Sequence, residues 1–231
     1  MKKCDQNRFQ INQAGFSLIE ILIALFLGSL LLVVTISGIK GLSQHDVLER
    51  QLVDFDRAVR FIKDEAILRN AVVRLRIYLS KEPQEFTVEY GPDGNFVIPK
   101  FMIEAEEVSQ SLSDAEKREK ELKRFNQKFA KVDEYEDENK EINQRIKVYG
   151  IANTTTKKII TEGEMAIYAY PNGEIDESII LLASDDEIAY LKIPALQQGT
   201  ESGFKVFETK EGDLAEIQKR FAEEVYSEWL K

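Results

Sequence analysis

From Phe16 to Ile39 the sequence runs for 24 residues with a single ionisable side chain, Glu20. A run of that length meets the roughly 20 residues, at about 1.5 Å each, that a helix needs to cross a bilayer core. An acid inside such a run costs about 2.5 to 3.5 kcal/mol on insertion, so Glu20 reads as a functional residue by default. The residues before the run, with Lys2, Lys3 and Arg8 against Asp5, predict a cytoplasmic N-terminus under the positive-inside rule.

Ala14-Gly15-Phe16-Ser17-Leu18-Ile19-Glu20, followed without a break by apolar sequence, resembles the N-terminal signal of type IV pilins and type II secretion pseudopilins. The resemblance implies a cut between Gly15 and Phe16 by a prepilin peptidase and N-methylation of the new Phe16 terminus. It also implies that Glu20 is the acid that meets a neighbouring subunit's N-terminus. The implied partners are the prepilin peptidase/N-methyltransferase, other pseudopilins or pilins of a filament, and an inner-membrane assembly platform. The implied location is the bacterial inner membrane, crossed once, with the C-terminal domain in the periplasm.

Cutting there leaves 216 residues, enough for a long helix and one globular domain. It removes the only cysteine, Cys4, so the remaining core must hold without a disulfide. It also removes three basic residues and one acidic residue, leaving 28 against 40 and a side-chain charge of −12. A surface that acidic repels phosphate backbones and disfavours nucleic acid as a partner. At 43% hydrophobic residues the chain is too apolar for general disorder.

Past the apolar run, Leu48, Leu52, Phe55, Val59, Ile62 and Ala66 recur at spacings of four and three, which is a helical stripe. No proline lies between Phe16 and Glu82, so one helix from Phe16 to about Asn70 is expected, with Ser37, Gly38 and Gly41 as a soft spot. The alternative is an anchor followed by a separate amphipathic helix. Val73, Leu75, Ile77 and Leu79 then alternate with Arg74, Arg76 and Tyr78, the period of a half-buried strand over Ala71 to Leu79. A hairpin is expected from Glu85–Tyr90, a Gly91-Pro92-Asp93-Gly94 turn and Phe96-Val97-Ile98.

Asp64 to Asn70 with the strand that follows, and Ile167 to Gly173 with Ser178 to Leu182, are similar to the corresponding blocks of H-type minor pseudopilins and the related T-type minor fimbrial pilins. The charged stretch 104–144 departs from that pattern. Ser113-Asp114-Ala115-Glu116 has the form of a capping box, and Leu122, Phe125, Phe129 and Val132 continue a stripe, predicting a helix from Asp114 to about Val132. It reads as a solvated helix packed on the domain's flank through that narrow stripe, or as a docking arm for a partner subunit. Asp133 to Lys140 reads as a mobile turn.

Further strands are expected over Arg145–Ile151, Glu164–Tyr170, Ile175–Leu182, Glu187–Ile193 and Phe204–Glu208, in an antiparallel sheet pair. Asp213 and Glu216 cap a final helix striped with Leu214, Ile217, Phe221, Val225 and Trp229, packed on the sheet or offered to a partner with Tyr226. The expected class is therefore α+β: a long N-terminal helix, membrane-spanning in its first half, packed on an antiparallel β-sheet domain with an inserted charged helix and a C-terminal helix. The divisions are a leader at 1–15, a transmembrane or filament-core helix at 16–39, its amphipathic continuation at 40–70, and a periplasmic β-rich domain at 71–231 with the insertion at about 104–144.

Catalytic chemistry has few candidates. His45 is the only histidine, so sites needing two have no ligands, and no cofactor or phosphate loop is found. Asp185-Asp186-Glu187 offers oxygens for calcium, which major pseudopilins bind near their C-terminus. The acids are contiguous, without the alternating spacing of a calcium loop, and read as a solvated turn. The expected protein is a peptidase substrate and not an enzyme: a minor pseudopilin of a type II secretion pseudopilus. The alternatives are a minor type IV pilin, in pilus assembly or DNA uptake, and a bitopic membrane receptor. Arg69, Arg74 and Arg76 are the basic cluster that DNA uptake would use.

Overall fold

The structure, a computed structural model, describes residues 18–93, 120–133, 135, 139–154, 158–185, 187–196, 199–206 and 213–230, the side chains of 30–44, 92 and 93 excepted. The cut site at Gly15–Phe16, the expected strand Phe96–Ile98 and the capping box Ser113–Glu116 lie outside the described residues. The chain divides into two units, Met1–Ser43 and Gln44–Lys231.

Helix α1 runs from Leu18 to Arg69 as one element, without the break that separate anchor and amphipathic helices would need. It ends where Asn70 takes a left-handed conformation (φ 50°) and its N–H bonds back to the Ile67 carbonyl at 3.3 Å. Asparagine tolerates that conformation better than most residues, so it can stop a helix and turn the chain straight into a strand. Strand β1 starts at the next residue.

In the second unit, β1 (Ala71–Tyr78), β2 (Glu85–Asp93), β3 (Ala130–Lys131), β4 (Lys140–Glu141) and β6 (Glu164–Ala169) form one antiparallel sheet ordered β3-β2-β1-β6, with β4 also on β2. The other sheet is β5 (Lys147–Asn153), β7 (Ser178–Ala183), β8 (Glu187–Ile193) and β9 (Glu201–Val206), ordered β5-β7-β8-β9. Residues 120–126 form α2 and Leu214–Trp229 form α3. The class is α+β, with antiparallel sheets between an N-terminal and a C-terminal helix.

The α1 stripe supplies one side of a core shared by both sheets. Leu48, Leu52, Phe55, Val59, Ile62 and Ala66 are buried with Val73, Leu75 and Ile77 of β1, Phe86 and Val88 of β2, and Ile180, Leu182 and Leu191 of β7 and β8. Side chains alternate across a strand, so the second face of each sheet needs its own cover. In β7 the sequence Ser-Ile-Ile-Leu-Leu-Ala is buried throughout: Ile180 and Leu182 join the α1 core, while Ile179, Leu181 and Ala183 pack with Ile217, Ala222 and Val225 of α3. Asp213 caps α3, its carboxylate accepting the Ala215 N–H at 3.2 Å, as its sequence predicts. Trp229 and Tyr226 are partly buried against the same cluster, the packed alternative of the two readings.

The first sheet corrects an expectation. The period of a half-buried strand predicts Arg74 and Arg76 on its exposed face, yet Arg74 is 1% exposed. Directly across the ladder, Arg74 faces Glu89 on one side and Tyr168 on the other. Its Nε donates to Glu89 Oε2 at 2.7 Å and its Nη1 to Asn126 Oδ1 at 2.8 Å. The Phe129 ring lies over the guanidinium at 3.8 Å. The cover comes from α2 and the chain after it: Phe125 is buried with Val72 and Tyr168, and Phe129 and Tyr170 pack around them. The described part of the insertion is thus packed on the domain's flank through its narrow stripe, Phe125 buried and Phe129 partly so, with Lys123, Arg124 and Lys128 left exposed, and it closes the sheet's outer face.

Two further boundaries differ. Gly91-Pro92-Asp93 is not a turn but the end of β2, where Ala71 pairs with Asp93 and Val73 with Tyr90. One residue of β1, Val72, thus lies opposite two of β2, Gly91 and Pro92, a bulge that absorbs the Pro, which has no N–H to give the ladder. The helix expected to reach Val132 stops at 126, because 130–131 pair as β3 with Tyr90 and Glu89, and the Val132 N–H bonds to the Val88 carbonyl at 3.0 Å. Of the stretch read as a mobile turn, 134 and 136–138 lie outside the described residues; 133 and 135 are in a turn, with the Tyr135 ring against Phe61 at 4.9 Å and Phe86 at 6.4 Å, and Lys140 is paired in β4.

Breaking one partner of a buried ion pair strands the other charge, at a cost of about 3 to 5 kcal/mol. Glu89→Ala should destabilise the domain by about that much in urea unfolding followed through Trp229, the only tryptophan. Arg74→Met combined with Glu89→Leu should cost less than Glu89→Ala alone.

Candidate functional site

The described N-terminal part of α1 is apolar on every side. Leu18, Ile19, Ile21, Leu22, Ile23, Leu25, Phe26 and Leu27 are each more than half exposed, and Glu20 sits in the first described turn. A helix apolar all round is stable only when lipid or other helices cover it. Among the described residues no helix is long and apolar enough to cross a membrane. The 24-residue run extends over 30–39, whose side chains are not described.

Residues 11–36 match the family model described as the prokaryotic N-terminal methylation motif. The chain thus carries the signal of type IV pilin-like proteins, and the matched span contains Gly15, Phe16 and Glu20 together. That motif implies processing by a prepilin peptidase and assembly into pilin-like filaments. No curated protein and no solved structure matches the chain.

The three arginines considered for DNA contact are each paired. Arg69 Nε donates to the Glu65 carboxylate, with the guanidinium 5.2 Å from the Tyr90 ring centroid. Arg74 is committed as above. Arg76 Nη2 donates to Glu164 Oε2 at 2.6 Å, and its guanidinium lies over Tyr78 at 5.0 Å. Arg74 and Arg76 are tied into the first sheet's outer face and Arg69 to its own helix, so the three do not form a free basic stripe.

Of the acids weighed for calcium, Asp185 and Glu187 are described. Asp185 lies in the tip of the β7–β8 hairpin, which Ser184 closes: its N–H donates to the Glu187 carbonyl at 2.9 Å, and its Oγ accepts the Glu187 N–H at 3.2 Å. Asp186 lies outside the described residues. The Glu187 carboxylate turns to His45 of α1, whose Nδ1 is 2.8 Å from Oε2 and 3.2 Å from Oε1. Among the described residues no group of three His, Cys, Asp or Glu side chains is placed to hold a metal ion.

Two features leave no signal in the sequence. One is the His45–Glu187 pair, 142 residues apart, for which a single sequence carries no signal. The other is Asp176, in the link from β6 to β7. Its Oδ2 accepts the Tyr168 N–H at 3.2 Å and its Oδ1 the Tyr170 hydroxyl at 3.1 Å. Desolvation pushes its carboxyl up to about 6, against those two hydrogen bonds, which favour the charged form. The same desolvation, with Asp176 beside it, pushes the Tyr170 hydroxyl up. The preceding Pro171-Asn172-Gly173 turn has Gly173 at φ 85°, its N–H donating to the Tyr170 carbonyl at 2.9 Å.

A carboxyl whose folded pKa is raised binds its proton more tightly in the native state, so its contribution to stability grows as pH falls. Between about pH 7 and 4, wild type should gain on Asp176→Asn by about 1 to 2 kcal/mol, allowing for partial exposure. Urea unfolding of both at several pH values measures the difference. A pH-independent difference would remove Asp176 as its source.

Proposed function

We propose that this chain is a minor pseudopilin, a structural subunit of a periplasmic pseudopilus that drives type II protein secretion, and has no enzymatic role. Prepilin peptidase cuts after Gly15, Phe16 becomes the N-methylated terminus, and residues 16–39 hold the chain in the bacterial inner membrane before entering the filament core. The domain after residue 40 sits in the periplasm, joined to other pseudopilins through the common helix and delivered by the inner-membrane assembly platform. The observation that carries this reading is the methylation motif at 11–36 laid over a helix that is apolar on all its described sides.

Glu20 sets the register. In hydrocarbon an ionised carboxylate needs a partner charge, and the α-amine of a neighbouring subunit's Phe16 supplies one. A lone subunit leaves Glu20 unpaired, so correct stagger is favoured over mis-stagger by electrostatics that lipid does not screen. The paired state of Arg69, Arg74 and Arg76 and the acidic total charge speak against the DNA-uptake version of a minor pilin. The acidic domain and the extra helical segment suit contact with other minor subunits of a secretion filament.

Glu20→Ala should leave membrane insertion and leader cutting intact but reduce recovery in sheared filaments by tenfold or more, about 1.4 kcal/mol per tenfold. Gly15→Val should block cutting and leave the longer precursor on a gel. Deletion of the chain should abolish export of secreted enzymes while surface pili persist. Loss of pili with export intact would instead support the pilin version of the class.

A further inference from the structure

We propose that His45 and Glu187 form a proton-operated latch that fastens the first turns of α1 within the folded unit to the β7–β8 hairpin. The latch holds when the imidazole is charged and loosens when it is neutral.

The folded unit begins at Gln44, and the first stripe residue of α1 that is completely buried is Leu48. Between them, Val47 is only partly buried against the core. His45 therefore makes the polar attachment of this first turn, four residues into which the apolar stripe has barely begun. The next polar tie from α1 to the β9 side of the second sheet comes three turns later, where the Thr200 hydroxyl donates to the Asp56 carboxylate. The His45 ring also rests on Phe204 of β9, with centroids 4.8 Å apart and planes inclined by 52°.

The chemistry of the pair makes it sensitive to a proton. Nδ1 faces both oxygens of a carboxylate whose side chain is 10% exposed, whereas the histidine side chain is 41% exposed. Charged, the ring gives the nearly buried carboxylate its counter-charge. Neutral with its proton on Nδ1, it keeps the hydrogen bond and loses the ion pair. Neutral with its proton on Nε2, it turns a lone pair toward two anionic oxygens, so deprotonation also costs the ring a choice of tautomer.

The charged groups that face the ring are Glu187 from β8 and Asp46 and Glu49 from α1 itself, all acids, while β9 presents the uncharged Phe204. Lys205 of β9 is engaged with Glu224 and Glu228 of α3, at 2.8 and 3.8 Å. The Glu187 hydrogen bond and these acids raise the His45 pKa above its ordinary 6.5, against partial desolvation. A base with a raised folded pKa contributes its full stabilisation below the unfolded value and loses it as pH rises through the folded one. The latch is thus shut under mild acid and opens toward alkaline pH.

The test is hydrogen–deuterium exchange of the full chain in detergent micelles, read by mass spectrometry and corrected for intrinsic exchange. In wild type, protection of amides 44–48 should fall roughly fivefold between about pH 5.5 and 8.5, the range expected of a partly exposed pair. In His45→Gln and Glu187→Gln it should not change with pH. A flat wild-type profile, or an unchanged slope in His45→Gln, would overturn the latch. The chain has one histidine, so its ring-proton resonance titrates without overlap. Its midpoint should drop on Glu187→Gln, and should lie above that of the urea-unfolded chain even if the variant fails to fold; equal midpoints would contradict the proposal.

Discussion

The buried stripe of α1 from Leu48 to Ala66 is the surface on which the rest of the domain is folded. Each of the two sheets presents one apolar face to it, and neither sheet would have a complete core without the helix. That arrangement explains why the chain needs no disulfide: Cys4 is its only cysteine, and the helix, continuous with the first strand through Asn70, takes over the work of holding the sheets together. Burial of a helix face between two sheets also fixes its rotation. Slipping the helix by one residue would carry Phe55 or Ile62 off the core and bring charged neighbours such as Asp54 or Lys63 toward it.

With the inner faces taken by α1, the outer faces must be covered separately, and the two sheets solve this differently. The β5-β7-β8-β9 sheet uses apolar packing under α3, with Lys205 bridging to Glu224 on the rim. The β3-β2-β1-β6 sheet buries a charge instead: Arg74 is held by Glu89, Asn126 and the ring of Phe129. A buried ion pair is weak evidence of stability, but its geometry is demanding. Asn126 and Phe129 can satisfy Arg74 only if the chain around α2 sits in one place, so the pair fixes the position of the insertion.

Where periodicity sufficed, the fold was legible. The α1 stripe, the strands β5 to β8 apart from a few end residues, and the cap at Asp213 follow from spacing and local chemistry alone, whereas β9 begins at Glu201, three residues before the expected Phe204. The misreadings share one cause, long-range pairing that overrides a local signal. Gly91-Pro92 carries turn chemistry but is absorbed as a bulge opposite β1. Phe129 and Val132 extend a helical period, yet the chain between them pairs with β2. Arg74 alternates as a solvent-facing residue should, and is covered by a segment some 50 residues downstream, with Asn126 at a separation of 52. The pairing of His45 with Glu187 is of the same kind. At the N-terminus the reverse holds: seven residues around Gly15 and Phe16 carry the functional reading, and the matched motif at 11–36 depends on no tertiary contact.

The central claim is that this folded domain is the cargo of a helix made ready for assembly by cutting at Gly15. The most direct measurement is the intact mass and N-terminal sequence of the protein purified from membranes. The account predicts a chain beginning at Phe16, 15 residues shorter than the sequence and about 14 Da heavier than that fragment because one methyl replaces a hydrogen. A mature protein beginning at Met1, or cut at any other bond, would contradict it.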